Sequence, residues 1–229
     1  MTITAAIFDF GGVITASPFE AFNRLEAQRG LPHDLVRKIN ATDPDANAWA
    51  LLERAEIDRA EFDARFAAEA AALGHELRGA DVLAVLAGAI RPGMVAALDT
   101  IRAAGLKLGC ITNNVPGSSG PAMAADAVSE SRYASIFARF DHVIESAKAG
   151  VRKPDPRIYV MMCEALSVSP PNCVYLDDLG INCKPAAVLG MAAIKVTDEA
   201  QALKDLSAVL GIHLAATDLA AIDISGETA

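Results

Sequence analysis

The sequence predicts an α/β fold: a Rossmann-like parallel sheet of five strands or more, flanked by helices, with an all-helical unit inserted into it. Three observations carry that prediction. Short apolar runs alternate with helical patterns over most of the chain, as parallel strands joined by crossover helices require. Each run is almost continuously apolar, as a strand buried on both faces must be. One stretch, residues 17–88, abandons the alternation and offers helices only.

The first strand is expected at residues 5–10. Soon after it, Ser17, Pro18, Phe19 and Glu20 read as a capping box with proline at the first helical position, opening a helix that Gly30 closes. Asp58 and Glu61 repeat the capping pattern, and Phe62, Phe66, Ala70 and Leu73 then fall on one face of an amphipathic helix. A helical insertion at this point forms a lid over whatever the first strand presents. The expected division is a core of residues 1–16 and 89–229 and a cap of residues 17–88. Trp49, the sole tryptophan, has two uses, lining the entrance or packing in the core, and its apolar helical run favours the core.

Beyond the cap, a helix at 92–104 leads to a strand at 106–112. Strands at 141–144, 173–176 and 192–196 follow, separated by helices at 155–166 and 182–189, and a helix at 198–210 comes last. Gly105, Gly190 and Gly211 stand just past the ends of three of these helices, where a stop signal belongs. Residues 116–131, rich in Ser, Gly and Ala, are longer than a simple turn. Two uses fit them: a segment that moves over the site, or part of a dimer contact. The last residues, about fifteen of them, read as a loosely held tail.

A chain of 229 residues has room for a core domain and a smaller appendage. Its net charge of −9 argues against nucleic acid and anionic membrane surfaces, which an acidic protein repels. An anionic substrate therefore needs local positive charge. Cys110, Cys163, Cys173 and Cys183 form no CxxC pair and are expected reduced, in the core. The N-terminus lacks a basic region followed by a long apolar stretch, and no run reaches the roughly 18 residues that span a bilayer. A cytoplasmic monomer or homodimer is the expectation.

In an open parallel sheet, ligands bind beyond the carboxyl ends of the strands. Four such positions are polar. Asp9 follows the first strand, in FDFGGVIT (8–15). Thr112, Asn113 and Asn114 follow the second, in ITNN (111–114), where a hydroxyl and amides either bind an anion or shape a turn. Lys153 stands ahead of a helix in GVRKPDPRIY (150–159), and Asp177 and Asp178 close a strand in YLDDLGINCKPAAVLGM (175–191). Adjacent carboxylates repel, so a cation or a lysine must keep both ionised. Oxygen donors of this kind suit magnesium, which takes one or two carboxylates, waters and a phosphate oxygen.

Together, in this order and each at a strand end, the four segments resemble the haloacid dehalogenase superfamily over nearly the whole chain. The place of the insertion matches the group with a helical cap between its first motif and the rest of the core. Within that group the segments look most like the N-terminal phosphatase domain of soluble epoxide hydrolase and the related domain fused to acyl-CoA dehydrogenases. The resemblance implies that Asp9 is a nucleophile that attacks phosphorus to form an aspartyl-phosphate. It implies a magnesium ion held by Asp9, the Gly11 carbonyl and Asp178, with Asp177 on a metal-bound water. Lys153 then supplies a second positive charge, while Thr112 and the backbone N–H groups of Asn113 and Gly11 hold the phosphoryl oxygens. Asn182, one helical turn past Asp178, is expected to orient Lys153.

Position 11 departs from this pattern. Phosphatases of the superfamily usually carry a second Asp two residues after the nucleophile, to protonate the leaving oxygen and activate water; this chain has Gly11. General acid and base catalysis is worth about 10²–10⁴-fold. Three readings follow. One is a magnesium-dependent phosphatase acting on a small phosphorylated metabolite, impaired or selective for good leaving groups. The second is a non-catalytic domain that binds phosphate and magnesium. The third is a 2-haloacid dehalogenase, which acts on a halogenated metabolite without metal.

Overall fold

The computed structural model describes residues 2–115 and 127–214. Five strands form one sheet: β1 (Ala5–Phe8), β2 (Lys107–Thr112), β3 (His142–Glu145), β4 (Cys173–Asp177) and β5 (Ala192–Lys195). All pair in parallel, in the order β3-β2-β1-β4-β5. Each strand end lies within two residues of its expected place. β1 is shorter than expected for a local reason. Asp9 Oδ1 accepts the N–H of Phe10 at 2.7 Å, so the backbone turns out of the ladder there.

The pleat sorts each strand between two interiors. Ala6 and Phe8 of β1 face one side with Val174 and Leu176 of β4, against α6 (Pro92–Ala103) and α11 (Glu199–Leu210). Ala5 and Ile7 face the other side with Cys173 and Tyr175, against α9 (Pro156–Leu166) and α10 (Gly180–Val188). Burying each large apolar side chain is worth about 1.5–3 kcal/mol, and both faces of the sheet are covered. The chain builds β1, β2 and β3 outward in one direction and then β4 and β5 in the other. The switch of direction therefore falls beside β1, where a crevice opens at the carboxyl ends of β1 and β4.

The inserted stretch folds as α1 (Pro18–Gln28), α2 (Leu35–Ala41), α3 (Ala48–Glu53), α4 (Arg59–Ala72) and α5 (Gly79–Leu83). They enclose an interior of their own, with Phe22, Val36, Ile39, Leu52, Phe62 and Phe66 at its centre. Asp58 caps α4 by accepting the N–H of Glu61 at 2.8 Å, as its sequence suggests. Buried Glu26 takes the N–H groups of Asp34 and Val36, both at 2.8 Å, and so fixes the start of α2. The chain leaves and re-enters the core as an antiparallel crossing: Thr15 bridges Ile90, and Ala16 N–H reaches the Ala89 carbonyl at 2.7 Å. We take this crossing as the boundary of a cap of residues 17–88.

All four cysteines are buried and free. Of the segment 116–131, residues 116–126 lie outside the described residues, and the rest is not loop but the start of α7 (Ala127–Phe137). The expected C-terminal tail also lies outside them. Among the described residues, no helix is long and apolar enough to cross a membrane.

Candidate active site

Asp9 sits directly beyond β1, buried, with its own N–H on the Leu176 carbonyl of β4 at 2.8 Å. The loop that follows curls back on itself, Ile14 N–H reaching the Phe10 carbonyl at 2.9 Å. Gly12 takes φ +81° in that loop, and a Cβ there would run into the carboxylate of Asp178. Only glycine allows this approach. Gly11 is different: a Cβ added to it meets nothing within 4 Å.

Lys153 projects from the loop before α9 into the same crevice, 1% exposed. Its Nζ lies 2.7 Å from Asp9 Oδ1 and 2.9 Å from Asp177 Oδ2. Asp177, at the end of β4, is fully buried and saturated. Its Oδ1 accepts the Leu179 N–H at 2.8 Å and Asn182 Nδ2 at 3.0 Å, and its Oδ2 also accepts the Tyr175 hydroxyl at 2.5 Å. Two expectations change here. Asn182 does not reach Lys153; it orients Asp177, which holds the lysine. Asp177 anchors the lysine with its lone pairs already taken, so it is less free than Asp178 to hold a metal-bound water.

Asp178, half-buried at the mouth of the crevice, receives the Ser17 hydroxyl on Oδ2 at 2.7 Å. Ser17 was expected to cap α1, yet its side chain makes no capping bond. The hydroxyl is instead turned to donate its proton to the carboxylate, a charge-assisted bond that fixes the side chain there. Thr112 ends β2, buried and lining the crevice. The Asn113 side chain clasps the backbone of Lys153, accepting its N–H at 2.9 Å and donating to its carbonyl at 3.1 Å.

The electrostatics follow from burial. Burial pushes the Asp9 carboxyl well above the usual carboxylate range; Lys153 pulls it down, and Asp177 and Asp178 push it further up. Burial also raises Asp178, against the hydrogen bond from Ser17. For Lys153 burial acts to lower the value, but Asp177 and Asp9 outweigh it and hold the ammonium above its usual range. Tyr175 is raised by burial and by Asp177 beside it. Oxygens of Asp9, Asp177 and Asp178 converge within 4.8 Å of one another. Three carboxylates thus face one ammonium, with Arg91 set back on the Gly12 carbonyl at 2.8 Å. An all-oxygen donor set with this deficit of positive charge fits a hard divalent cation such as magnesium.

The crevice opens into a cavity of about 490 Å³ between cap and sheet. Asp9, Gly11, Thr112, Lys153 and Asp178 line its floor, and Phe19, Phe22, Trp49 and Leu86 line the cap side. Trp49 is half-buried: its ring packs on Phe22 and Phe62 at the edge of the cap interior and also forms part of this wall, so it serves both of the uses its sequence offers. His33, His75, His142 and His213 do not line the cavity.

The sequence model of the haloacid dehalogenase-like hydrolases matches residues 3–190. The chain is 34% identical over 215 residues to mouse acyl-CoA dehydrogenase family member 10, covering 92% of this chain and 19% of that protein. It is 30% identical over 229 residues to pig bifunctional epoxide hydrolase 2, covering 95% of this chain and 40% of that one. The chain thus spans well under half the length of these two relatives. Against the phosphatase MT3486 of Mycobacterium tuberculosis it is 30% identical over 222 residues, covering 91% of this chain and 96% of the other. Its fold is shared with a HAD-like family hydrolase of Porphyromonas gingivalis (TM-score 0.63, 20% identity, 92% and 98% covered). It is also shared with a HAD family enzyme of Bacteroides thetaiotaomicron in complex with magnesium and inorganic phosphate (TM-score 0.56, 17% identity, 86% and 96% covered). This chain belongs to the haloacid dehalogenase-like hydrolases.

Proposed function

We propose that the protein is a magnesium-dependent phosphatase that transfers a phosphoryl group to Asp9 and favours phosphate esters with good leaving groups and an apolar body. The observation that carries this reading is the cluster of Asp9, Lys153 and Asp178 at the floor of a cavity whose cap side is aromatic.

Asp9 Oδ1 is held by Phe10 N–H and Lys153; Oδ2, which neither contact uses, is the candidate attacking atom. Attack forms the Asp9 oxygen–phosphorus bond as the bond to the leaving oxygen breaks, and that oxygen departs with the electron pair. Lys153 offsets the negative charge that gathers on the phosphoryl oxygens, and Thr112 with the N–H of Asn113 donates to them. Asp9, Asp178 and the Gly11 carbonyl would hold magnesium, whose charge offsets the repulsion between the nucleophile and an anionic ester. Asp177 keeps Lys153 in place, and Asn182 and Tyr175 keep Asp177 in place. With glycine at position 11, no side chain there protonates the leaving oxygen or activates water. Aryl and acyl phosphates need that help least. The support from relatives is that one of them over nearly full length bears the name phosphatase.

Gly11 also favours a second reading, a domain that binds phosphate and magnesium without turnover. A dehalogenase would leave Asp178 beside Asp177 without a purpose. One panel separates the three: phosphate release from p-nitrophenyl phosphate and acetyl phosphate, and halide release from 2-chloropropionate, each with magnesium and with EDTA. The phosphatase reading predicts EDTA-sensitive phosphate release. Halide release insensitive to EDTA, or magnesium binding with no turnover at all, overturns it.

A further inference from the structure

One carboxylate in the cavity wall is left unused by this chemistry. Glu53, the last residue of α3, has a side chain only 8% exposed. Its Oε1 accepts the indole N–H of Trp49 at 2.8 Å. Its Oε2 accepts Arg152 Nε at 2.6 Å and Asn113 Nδ2 at 3.1 Å. Trp49 belongs to the cap, whereas Arg152 and Asn113 belong to the core. Arg152 Nη1 reaches back to the Pro44 carbonyl of the cap at 3.0 Å. Because Asn113 clasps the Lys153 backbone and Lys153 contacts Asp9, an unbroken series of polar contacts runs from the cavity wall to the candidate nucleophile.

We propose that Glu53 is a positioning residue, which sets Lys153 against Asp9 only while the cap rests on the core, and so couples what touches Trp49 to the chemistry below. The proposal rests on Asp9 and Lys153 being the reacting pair. A carboxylate in this place is desolvated and needs its donors, two of which come from across the cap–core boundary. Lifting the cap strips the Arg152 and Asn113 contacts in one movement. Asn113 then loses the partner that orients its amide, and the Lys153 loop loses its clasp. A displacement of about 1 Å at a reacting group costs on the order of 10²-fold in rate. Since Lys153 acts on charge that develops during the reaction, the loss falls on kcat more than on KM.

The test combines kinetics on p-nitrophenyl phosphate with magnesium and acrylamide quenching of Trp49, whose fluorescence is unambiguous because it is the only tryptophan. Glu53→Ala and Asn113→Ala are each expected to lower kcat about tenfold or more with KM moving less than about threefold. The double variant is expected to be no slower than the worse single one, because both act through one connection. Glu53→Gln, which keeps an oxygen acceptor, recovers part of the loss. Asn113→Ala also raises the quenching of Trp49, from which it is separated by Glu53. Additive losses, a change confined to KM, or unaltered Trp49 quenching in folded Asn113→Ala overturn the proposal. If the wild-type protein releases no phosphate, the phosphatase reading fails, and the fluorescence measurement alone then decides the connection.

Discussion

Lys153 Nζ stands 2.7 Å from Asp9 Oδ1, so a buried ammonium and a buried carboxylate form an ion pair at the carboxyl end of the sheet. The same ammonium holds fully buried Asp177 at 2.9 Å. Lys153→Met removes the shared counter-charge of both acids. Losing one partner of a buried pair costs about 3–5 kcal/mol, to be read from urea unfolding. Phosphate release is expected to fall by at least about 10²-fold. A variant with wild-type stability and turnover contradicts this pairing.

Gly11 has open space where a side chain would begin, so Gly11→Asp is expected to fold as the wild type does. The new carboxyl restores an acid for the leaving oxygen and a base for water. The rate at which an alkyl phosphate such as glycerol phosphate phosphorylates Asp9 should rise by about tenfold or more, with a smaller gain in that step for acetyl phosphate, whose turnover gains instead from faster discharge. Equal gains in the phosphorylation step for both substrates, or none in a folded variant, contradict the account of selectivity.

The raised carboxyls make a prediction for thermal stability. With EDTA present, Asp9 and Asp178 have folded pKa values above the unfolded 3.8, so the folded state holds extra protons above that pH. Their contribution is complete below the unfolded value and is lost as pH rises through the folded values. Tm without metal should therefore fall between a pH near the unfolded value and a pH above the folded values. Magnesium requires the ionised forms, so the rise in Tm that it causes should be larger at the higher pH. Both effects should shrink in Asp178→Asn. A magnesium effect that is the same at both pH values argues against carboxylate ligands.

The aromatic cap wall should recognise the body of the ester. Trp49→Ala removes one face of that wall and is expected to raise KM for naphthyl phosphate about tenfold, while KM for acetyl phosphate changes less. Equal changes for both would place the substrate body elsewhere.

Much of this arrangement was legible in the sequence, and the parts that were not share a cause. Strands buried on both faces read as apolar runs, so a polar residue ending such a run, such as Asp9 or Asp177, marks the carboxyl edge of the sheet. Tyr175 was within reach of the same logic. It lies two residues before Asp177 and therefore on the same face of β4, where it bonds that carboxylate. Ser17 was not: its hydroxyl makes no local cap and is turned to donate to Asp178, 161 residues away. Asn182 was placed correctly on α10, but its target was not, because Asp177 rather than Lys153 lies within reach. Glu53 reads as an ordinary acid in a short helix; Trp49 lies one turn away on that helix, but the two core partners, Asn113 and Arg152, become visible only when cap and core are in contact.

The central claim is that Asp9 itself takes the phosphoryl group. With no acid or base at position 11 to activate water, the aspartyl-phosphate should discharge slowly and accumulate. The direct measurement is mass spectrometry of the protein acid-quenched during turnover of acetyl phosphate with magnesium. The account predicts a phosphoryl group on the peptide carrying Asp9 and none in Asp9→Asn, which should also release no phosphate. Undiminished phosphate release by Asp9→Asn, with no label on the wild-type Asp9 peptide, would contradict it.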